Sequence, residues 1–216
     1  MDSSVTTWIL PVILAVTLHE AAHGFVAELF GDDTAKTMGR VTFNPLKHIS
    51  PMGTVILPGL LLLAHSPVLF GYAKPVPVDF RKLQPQRLGM LLVAAAGPGM
   101  NIMLAIIGSI FLHITPDTNP ETLPWLQLNL FHSLLINSAL AMFNMLPILP
   151  LDGGRVVRAL LPGEIGDQYA RTERFGLLIV IALLFLPPLL GLNFMTDILT
   201  AVNETLIGGI LFITGH

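Results

Sequence analysis

The chain has 216 residues, of which 53% are hydrophobic and only 12% charged, and its mean hydropathy is +0.73. A soluble domain carries about 25% charged residues, so this composition indicates an integral membrane protein with one compact bundle. The net charge of −3 is small and no basic patch with interleaved aromatic residues is present, which argues against nucleic acid as a partner. Because the chain has no cysteine, any zinc site would have to use histidine and carboxylate ligands.

The first predicted element is a membrane-spanning helix over residues 5–30, which contains the pattern HExxH. At ~1.5 Å per residue this helix reaches about 39 Å, which is enough to cross a bilayer. His19 and His23 are four residues apart on one helix face, so both imidazoles can bind one zinc ion. Glu20 is then placed to act as a general base. The alternative is a soluble core helix with two buried histidines, which the membrane-like remainder of the chain disfavours.

The next predicted elements are short and irregular. Residues 34–50 are expected to form a short irregular or β stretch, in which residues 39–43 have strand-like side chains. Residues 49–73 are uncharged and apolar but are interrupted by proline and glycine, so this segment is embedded in the membrane and either crosses it once or turns back. Residues 74–78 are expected to be extended, because their two prolines oppose a helix and lack a backbone donor.

The apolar runs in the second half of the chain predict further membrane-spanning helices, over residues 88–112, 128–151, 175–195 and 197–215, of which only the last carries charged residues, Asp197 and Glu204. The last run is interpreted as a span, with an interfacial helix as the alternative, and a charged loop containing a surface helix is expected over 156–174. The predicted fold is an all-α polytopic membrane protein of about five to six transmembrane helices, with a re-entrant segment and a short β element near the active site. It forms a single domain over residues 1–216, with a catalytic core of about 5–158 and C-terminal spans over 174–214.

All 11 lysines and arginines lie in three of the loops, which cover residues 31–48, 74–87 and 152–174. Basic loops of membrane proteins are cytoplasmic, so this distribution places the N-terminus outside and directs the first helix inward. Both ends of the segment 49–73 then lie on the same side of the membrane, which predicts a re-entrant element. Asp152 is placed at the cytoplasmic end of its span.

Asp152 is the best candidate for a third metal ligand, because it and the HExxH helix both approach the cytoplasmic half of the membrane. A catalytic zinc site takes three protein ligands and leaves one position for water. Pro147 and Pro150 break the helix before Asp152, which lets the carboxylate point sideways. Gly153 and Gly154 then allow the backbone to turn. The alternative is that Asp152 only caps the helix that follows it.

Three motifs together resemble the site-2 protease family of intramembrane zinc metalloproteases. They are HExxH at residues 19–23 with Ala27 one turn beyond, Gly97-Pro98-Gly99-Met100-Asn101, and the NxxPxxPLDG pattern over residues 144–153. The motifs occur in the family's order, and the resemblance covers roughly residues 10–158. The chain is expected to lack PDZ and CBS domains, and its apolar segment over 49–73 resembles a compact prokaryotic subgroup.

The resemblance implies one zinc ion held by three ligands, His19, His23 and Asp152. It implies that Glu20 is the catalytic acid/base, and it suggests that Asn101 and Asn144 seat the substrate backbone or steady the oxyanion. The implied activity is intramembrane proteolysis of a transmembrane protein or peptide. The implied location is a lipid bilayer, namely the prokaryotic inner membrane, with the active site toward the cytoplasm.

Two other functions are open at this point, a membrane metal transporter that uses the same ligands and a proteolytically silent zinc-binding scaffold. Glu20 discriminates the protease from the transporter, because a Glu20→Gln change should abolish hydrolysis and largely spare zinc binding. The presence of Glu20, Asn144 and Asp152 argues against the scaffold. Nucleic acid is not expected as a partner of any of the three.

Overall fold

The computed structural model describes residues 3–63, 71–114, 123–192 and 194–216, and every regular element in these ranges is helical. The α-helices are, in chain order, α1 (Ser3–Leu29), α2 (Thr34–Thr37), α3 (Leu57–Leu63), α4 (Gln86–Ile114), α5 (Leu123–Asn144), α6 (Asp152–Leu160), α7 (Gly163–Ala170), α8 (Glu173–Leu189) and α9 (Phe194–Thr214). A 3₁₀ turn (Pro45–Lys47) and a π-helical turn (Pro51–Ile56) lie between α2 and α3.

The centre of the bundle is formed by α1, α4 and α5, which pack side by side through small residues. Ala15 on α1 and Ala105 on α4 are fully buried. Gly108 on α4 lies so close to α5 that an added Cβ would be 3.3 Å from the carbonyl oxygen of Leu130. Helices in membranes associate through such close contacts, because lipid is as apolar as the side chains it surrounds. These three helices form the frame on which the site is built.

Four helices in the described ranges are long and apolar enough to cross a membrane, over Thr6–Leu29, Gln86–His113, Trp125–Asn144 and Asp197–Thr214. Helices α7 and α8 add a fifth candidate if this pair, bent by 60°, is a single span. The prediction of an all-α protein with several membrane-spanning helices is confirmed. The described ranges thus hold four to five candidate spans, against the five to six transmembrane helices expected from the sequence.

The region expected to be a charged loop, residues 156–174, is mostly helical. Helix α6 begins at Asp152 and α7 begins three residues after α6 ends. Most residues of α7 are exposed, which agrees with the expected surface helix. The two short helices connect the end of α5 to α8 and hold Asp152 at the start of the first of them.

The short β element expected from the sequence is not confirmed, because residues 41–43 and 71–79 form no strand. Residues 64–70 of the expected re-entrant segment lie outside the described ranges. The two ends of that segment lie side by side, since Lys74 N donates to His48 O at 2.8 Å and Tyr72 N donates to Gly53 O at 3.0 Å.

Residues 71–85 run back along the end of α1 and are tied to it by backbone and side-chain hydrogen bonds. Gln84 N donates to Phe30 O at 2.8 Å. The fully buried Asp32 accepts a hydrogen bond from Asp79 N at 2.7 Å. Lys82 donates to the exposed Asp33 at 3.1 Å and holds the pKa of that carboxyl below its ordinary value. The segment is therefore fixed next to the helix that carries HExxH.

Candidate metal centre

Three potential ligand atoms converge where α1, α4 and α6 meet. His19 and His23 on α1 are 7% and 8% exposed, and their Nε2 atoms lie 3.1 Å apart. Asp152 Oδ2 lies 3.2 Å from His19 Nε2 and 3.4 Å from His23 Nε2. The structure thus brings together the three residues that the sequence resemblance assigned as ligands, with their ligand atoms within 4.8 Å of one another.

The other ring nitrogen of each histidine is occupied by a hydrogen-bond acceptor on α4. His19 Nδ1 donates to Asn101 Oδ1 at 2.6 Å, and His23 Nδ1 donates to the carbonyl oxygen of Val93 at 2.7 Å. A carbonyl oxygen can only accept, so His23 carries its proton on Nδ1 and presents a lone pair at Nε2. Metal-ligating histidines are oriented by this kind of outer contact.

The donor set fits a bound cation. Asp152 Oδ2 is buried and has no hydrogen-bond donor within the described part of the chain, although two imidazole Nε2 atoms face it. Two imidazole lone pairs and a carboxylate oxygen at such short distances repel one another unless a positive charge lies among them. Two histidines and one carboxylate are a ligand set that catalytic zinc uses, with a position left for water.

Asp152 does not act as an ordinary helix cap. Leu151 occupies the N-cap position of α6, and Asp152 is the first helical residue. The turn before it is tight: a Cβ on Gly153 would lie 2.2 Å from the carbonyl oxygen of Met145, and one on Gly154 would lie 2.4 Å from a backbone nitrogen in the preceding loop. These two glycines let the start of α6 approach the chain before it, which directs the aspartate toward α1.

Asn101 lies behind His19 and is fully buried. Its Oδ1 accepts from His19, while its Nδ2 donates to Asn137 Oδ1 at 2.8 Å and to the carbonyl oxygen of Ala15 at 3.3 Å. The whole amide is therefore engaged inside the bundle. This arrangement favours a role in orienting the imidazole over the contact with substrate that the resemblance suggested for this residue.

Asn144 and Glu20 both line a cavity of about 510 Å³ that lies over the three ligand atoms. Glu20 is half-buried, and its Oε2 accepts a hydrogen bond from the backbone nitrogen of Val76 at 2.7 Å. Asn144 is half-buried at the end of α5 and donates its Nδ2 to the carbonyl oxygen of Leu140 at 3.0 Å. Both side chains thus lie at the cavity, and the roles expected for them from the sequence stay predictions.

The cavity walls include Val76 and Val78 of the extended segment, which the sequence offers as a place for substrate to dock. They also include Leu177 and Val180 of α8, which no pattern in the sequence singles out for the site. Gly97 on α4 lies against the metal-facing Nε2 atoms of both histidines. The sequence presents the Gly97-Pro98-Gly99 motif as part of the family resemblance, and no local pattern indicates that Gly97 contacts the two imidazoles.

Gly97→Ala is expected to weaken zinc binding by roughly 10–100-fold, the usual effect of disturbing a residue that positions the metal ligands. An added Cβ would lie 2.4 Å from His23 Nε2 and 2.6 Å from His19 Nε2, so both rings would have to move from their present positions. Zinc content after dialysis against a graded chelator would measure the effect. Gly99→Ala is the matched control, because nothing lies within 4 Å of a Cβ there. Equal zinc retention in the two variants would show that the imidazoles do not depend on Gly97.

Asn101→Leu is also expected to reduce zinc affinity by roughly 10–100-fold, because His19 would lose the acceptor that orients its ring. The zinc dissociation constant of the purified protein, measured by competition with a chromophoric chelator, would test this. Asn129→Leu is the control: Asn129 is likewise buried, but its Nδ2 donates to Trp125 O within α5. A matching loss in the control would indicate a general effect of removing a buried amide.

Two histidines, a carboxylate and a neighbouring glutamate around a cavity are the groups of a hydrolytic metal centre. Comparison with known proteins agrees with this class. The model of peptidase family M50 matches residues 7–123 and 121–187. The chain belongs to that family, and the resemblance to the site-2 proteases is confirmed.

Relatives in three organisms have names that fit the family. The putative zinc metalloprotease YwhC of Bacillus subtilis is 39% identical over 193 residues, which cover 84% of this chain and 80% of the relative. The putative zinc metalloprotease Rip2 of Mycolicibacterium smegmatis is 31% identical over 82% of this chain and 66% of its own length. The zinc metalloprotease MJ0392 of Methanocaldococcus jannaschii is 27% identical over 94% of this chain and 48% of its own length. No solved structure matches the chain significantly.

Proposed function

We propose that this protein is an intramembrane zinc-dependent endopeptidase that hydrolyses peptide bonds of membrane-spanning substrates within or near the bilayer. Family membership and the names of the relatives make it a zinc metalloprotease of an integral membrane type. The observation that carries the finer proposal is the position of the three candidate ligands, His19, His23 and Asp152. They line a cavity inside a bundle of apolar helices. Water and substrate must both reach this cavity for hydrolysis to occur there.

The proposed zinc ligands are His19, His23 and Asp152. When bound, zinc lowers the pKa of a coordinated water to about 7 and polarises the substrate carbonyl. The chain supplies the geometry for this chemistry. Asn101 and Val93 hold the Nδ1 protons of the two imidazoles, which leaves both Nε2 atoms available at the cluster.

Glu20 is the proposed acid/base. Its carboxylate accepts a hydrogen bond from Val76 N through Oε2, so Oε1 is the oxygen available to take a proton from the attacking water. Glu20 then returns that proton to the leaving amine. The proposed role of Asn144 is to donate to the substrate carbonyl as its oxygen gains negative charge, since its amide lies at the cavity wall.

A helical substrate hides its peptide carbonyls in its own hydrogen bonds, so it must unwind locally before cleavage. An extended segment of the enzyme could hold the unwound chain by adding it as a strand, and the sequence offers residues 41–43 and 76–78 for this role. The structure favours the second, because Val76 and Val78 line the cavity and residues 41–43 do not. We therefore propose that residues 76–78 hold the substrate through the carbonyl oxygens of Val76 and Val78 and the N–H of Val78, because the N–H of Val76 is bonded to Glu20 and Pro77 has none.

The proposed orientation places the cavity toward the cytoplasm of a prokaryotic cell, with the N-terminus outside. The distribution of lysine and arginine supports this orientation. The hydrogen bond between Lys74 and His48 supports the re-entrant path of the segment between them, because it brings both ends to one side of the bundle. Labelling of single cysteines at Lys47 and Lys82 from opposite sides of the membrane would contradict this path.

The experiment that tests the proposed function is cleavage of a model transmembrane substrate by the detergent-purified protein, with and without a zinc chelator. We expect cleavage that the chelator abolishes and that added zinc restores. Zinc bound at one ion per chain with no cleavage of a panel of helical substrates would contradict the protease. Zinc flux into liposomes by the same preparation would then identify a transporter, and its absence would leave the zinc-binding scaffold.

A further inference from the structure

Arg40 is a buried arginine that the site described above does not use. It follows α2 and is only 6% exposed. Its Nη2 donates to the carbonyl oxygens of Lys74 at 2.8 Å and Pro75 at 3.3 Å, while its Nε is buried and without a partner in the described ranges. None of the ion pairs in those ranges involves this guanidinium.

A buried cation that pairs only with neutral carbonyls is costly, because it gives up hydration without gaining an opposite charge. A neutral side chain or a water could satisfy two carbonyls at lower cost. The planar guanidinium differs from these in rigidity, since it fixes the direction of the peptide groups that it binds. The placement of Arg40 therefore indicates that the function of the site depends on the position of the backbone at residues 74–75.

The residue that follows these two carbonyls is the one that touches the proposed acid/base. Because Pro75 and Pro77 have no N–H, Val76 is the only backbone donor among residues 75–77. That single N–H donates to Glu20 Oε2 at 2.7 Å. Any shift of the peptide planes at residues 74–75 is passed directly to this hydrogen bond.

Other contacts fix the same segment farther from Val76. Lys74 N donates to His48 O at 2.8 Å, and Asp79 N donates to Asp32 Oδ2 at 2.7 Å. These contacts hold the two ends of the extended stretch. Arg40 is the side chain that ties the peptide groups directly before Val76, so its loss would loosen this point while the ends stay attached.

We propose that Arg40 is a positioning residue for the hydrolytic step, and that it holds residues 74–76 so that the Val76 amide orients the Glu20 carboxylate. This inference rests on the proposed function, in which Glu20 moves the proton. Arg40 touches neither the substrate nor the ligand atoms, and it acts through the backbone. Its removal should therefore slow the proton transfer and leave the zinc and the binding of substrate nearly unchanged.

The test compares Arg40→Gln and Arg40→Lys with the control Arg81→Gln in the full-length protein. Arg81 belongs to the same region, but its side chain is 87% exposed and pairs only with Asp79. For Arg40→Gln we expect kcat to fall roughly 10–100-fold, as small misplacements of catalytic groups do, with KM within twofold and zinc content unchanged. Arg40→Lys should recover part of kcat, because an ammonium can donate to the same carbonyls. Arg81→Gln should match the wild type.

Three results would overturn the proposal. One is an unchanged kcat in Arg40→Gln. Another is a rise in KM at constant kcat, which would make the segment a binding surface only. The third is loss of zinc and of thermal stability in both Arg40 variants, with no recovery in the lysine variant, which would make Arg40 a purely structural tie.

A second readout separates failure of this inference from failure of the proposed function. Because the chain has no cysteine, Ala73→Cys provides a single thiol next to residues 74 and 75, whose carbonyl oxygens Arg40 binds. Its rate of reaction with a maleimide should rise severalfold when Arg40→Gln is added and should stay constant with Arg81→Gln. A preparation without any cleavage would contradict the protease proposal. Equal labelling rates with and without Arg40→Gln would contradict the proposal that Arg40 holds residues 74–76.

Discussion

Asp152→Ala is expected to leave the purified protein with almost no zinc and without chelator-sensitive cleavage. The variant keeps the two histidines but removes the third converging ligand atom, which lies 3.2 and 3.4 Å from their Nε2 atoms. Loss of an outer hydrogen-bond partner already costs about 10–100-fold in metal affinity, so loss of a ligand should cost more than 100-fold. Zinc per chain, measured by elemental analysis after gel filtration, is the primary readout.

The controls for Asp152→Ala must separate loss of a ligand from loss of a helix-stabilising charge. An aspartate in the first turn of a helix contributes about 0.3–1 kcal/mol through the helix dipole, so α6 could be weakened slightly. Asp152→Asn keeps the shape of the side chain but lacks the anionic ligand oxygen, and it should lose zinc as the alanine variant does. Glu164→Ala removes an exposed acidic residue from the first turn of α7 without touching the ligands, and it should keep both zinc and activity. Full zinc content in Asp152→Ala would show that the carboxylate is not a ligand.

The histidine pair was predictable from the sequence because it depends only on helix periodicity. His19 and His23 share a face of any helix, whatever surrounds it. The convergence of Asp152 with that face depends on tertiary structure, in which α6 packs against α4 and Asp152 reaches the two histidines of α1. The family motifs indicated it, while the residues alone left helix capping as an alternative. The structure favours ligation, because Leu151 is the N-cap, and Asp152 Oδ2 faces the two imidazoles with no donor in the described ranges.

The contacts around the ligands could not be predicted, because each joins positions far apart in the chain. Asn101 is recognisable in the sequence as a buried amide that needs a partner, but its partner is His19 on another helix. The same holds for Val76, whose amide donates to Glu20. Proline positions show which backbone donors are missing in this segment, but no pattern in the sequence indicates where the remaining donor points.

The expected β element is not formed by residues 41–43 or 71–79, and there is a physical reason for this. β-branched and aromatic residues favour strands only where a neighbouring strand offers donors and acceptors. The segment that contains Val76 lies beside Val41, since the side chains of both valines lie near Gly24. That neighbour is flanked by Pro75 and Pro77, which cannot donate to a ladder. The two stretches therefore pack through side chains and form no backbone ladder.

Glu20→Gln is expected to reduce kcat by roughly 10²–10⁴-fold, the usual contribution of a general acid–base group, while zinc content stays at the wild-type level. Glutamine has nearly the same shape, and its carbonyl oxygen can still accept the hydrogen bond from Val76 N. The extended segment should therefore stay in place, and only the ability to take a proton is lost. The three converging ligand atoms do not include Glu20, so the metal should remain.

Glu28→Gln is the matched control for this change. Glu28 lies two turns farther along α1 and pairs with Lys36 at the surface, where an ion pair contributes at most about 1 kcal/mol. Its variant should cleave substrate at the wild-type rate. If Glu20→Gln cleaves as fast as this control with zinc bound, then another group accepts the proton, and the assignment of Glu20 fails although the metal site stands. If Glu20→Gln retains zinc and loses cleavage while Glu28→Gln keeps both, a bound metal alone does not hydrolyse the peptide, and the carboxylate beside it performs the proton transfer.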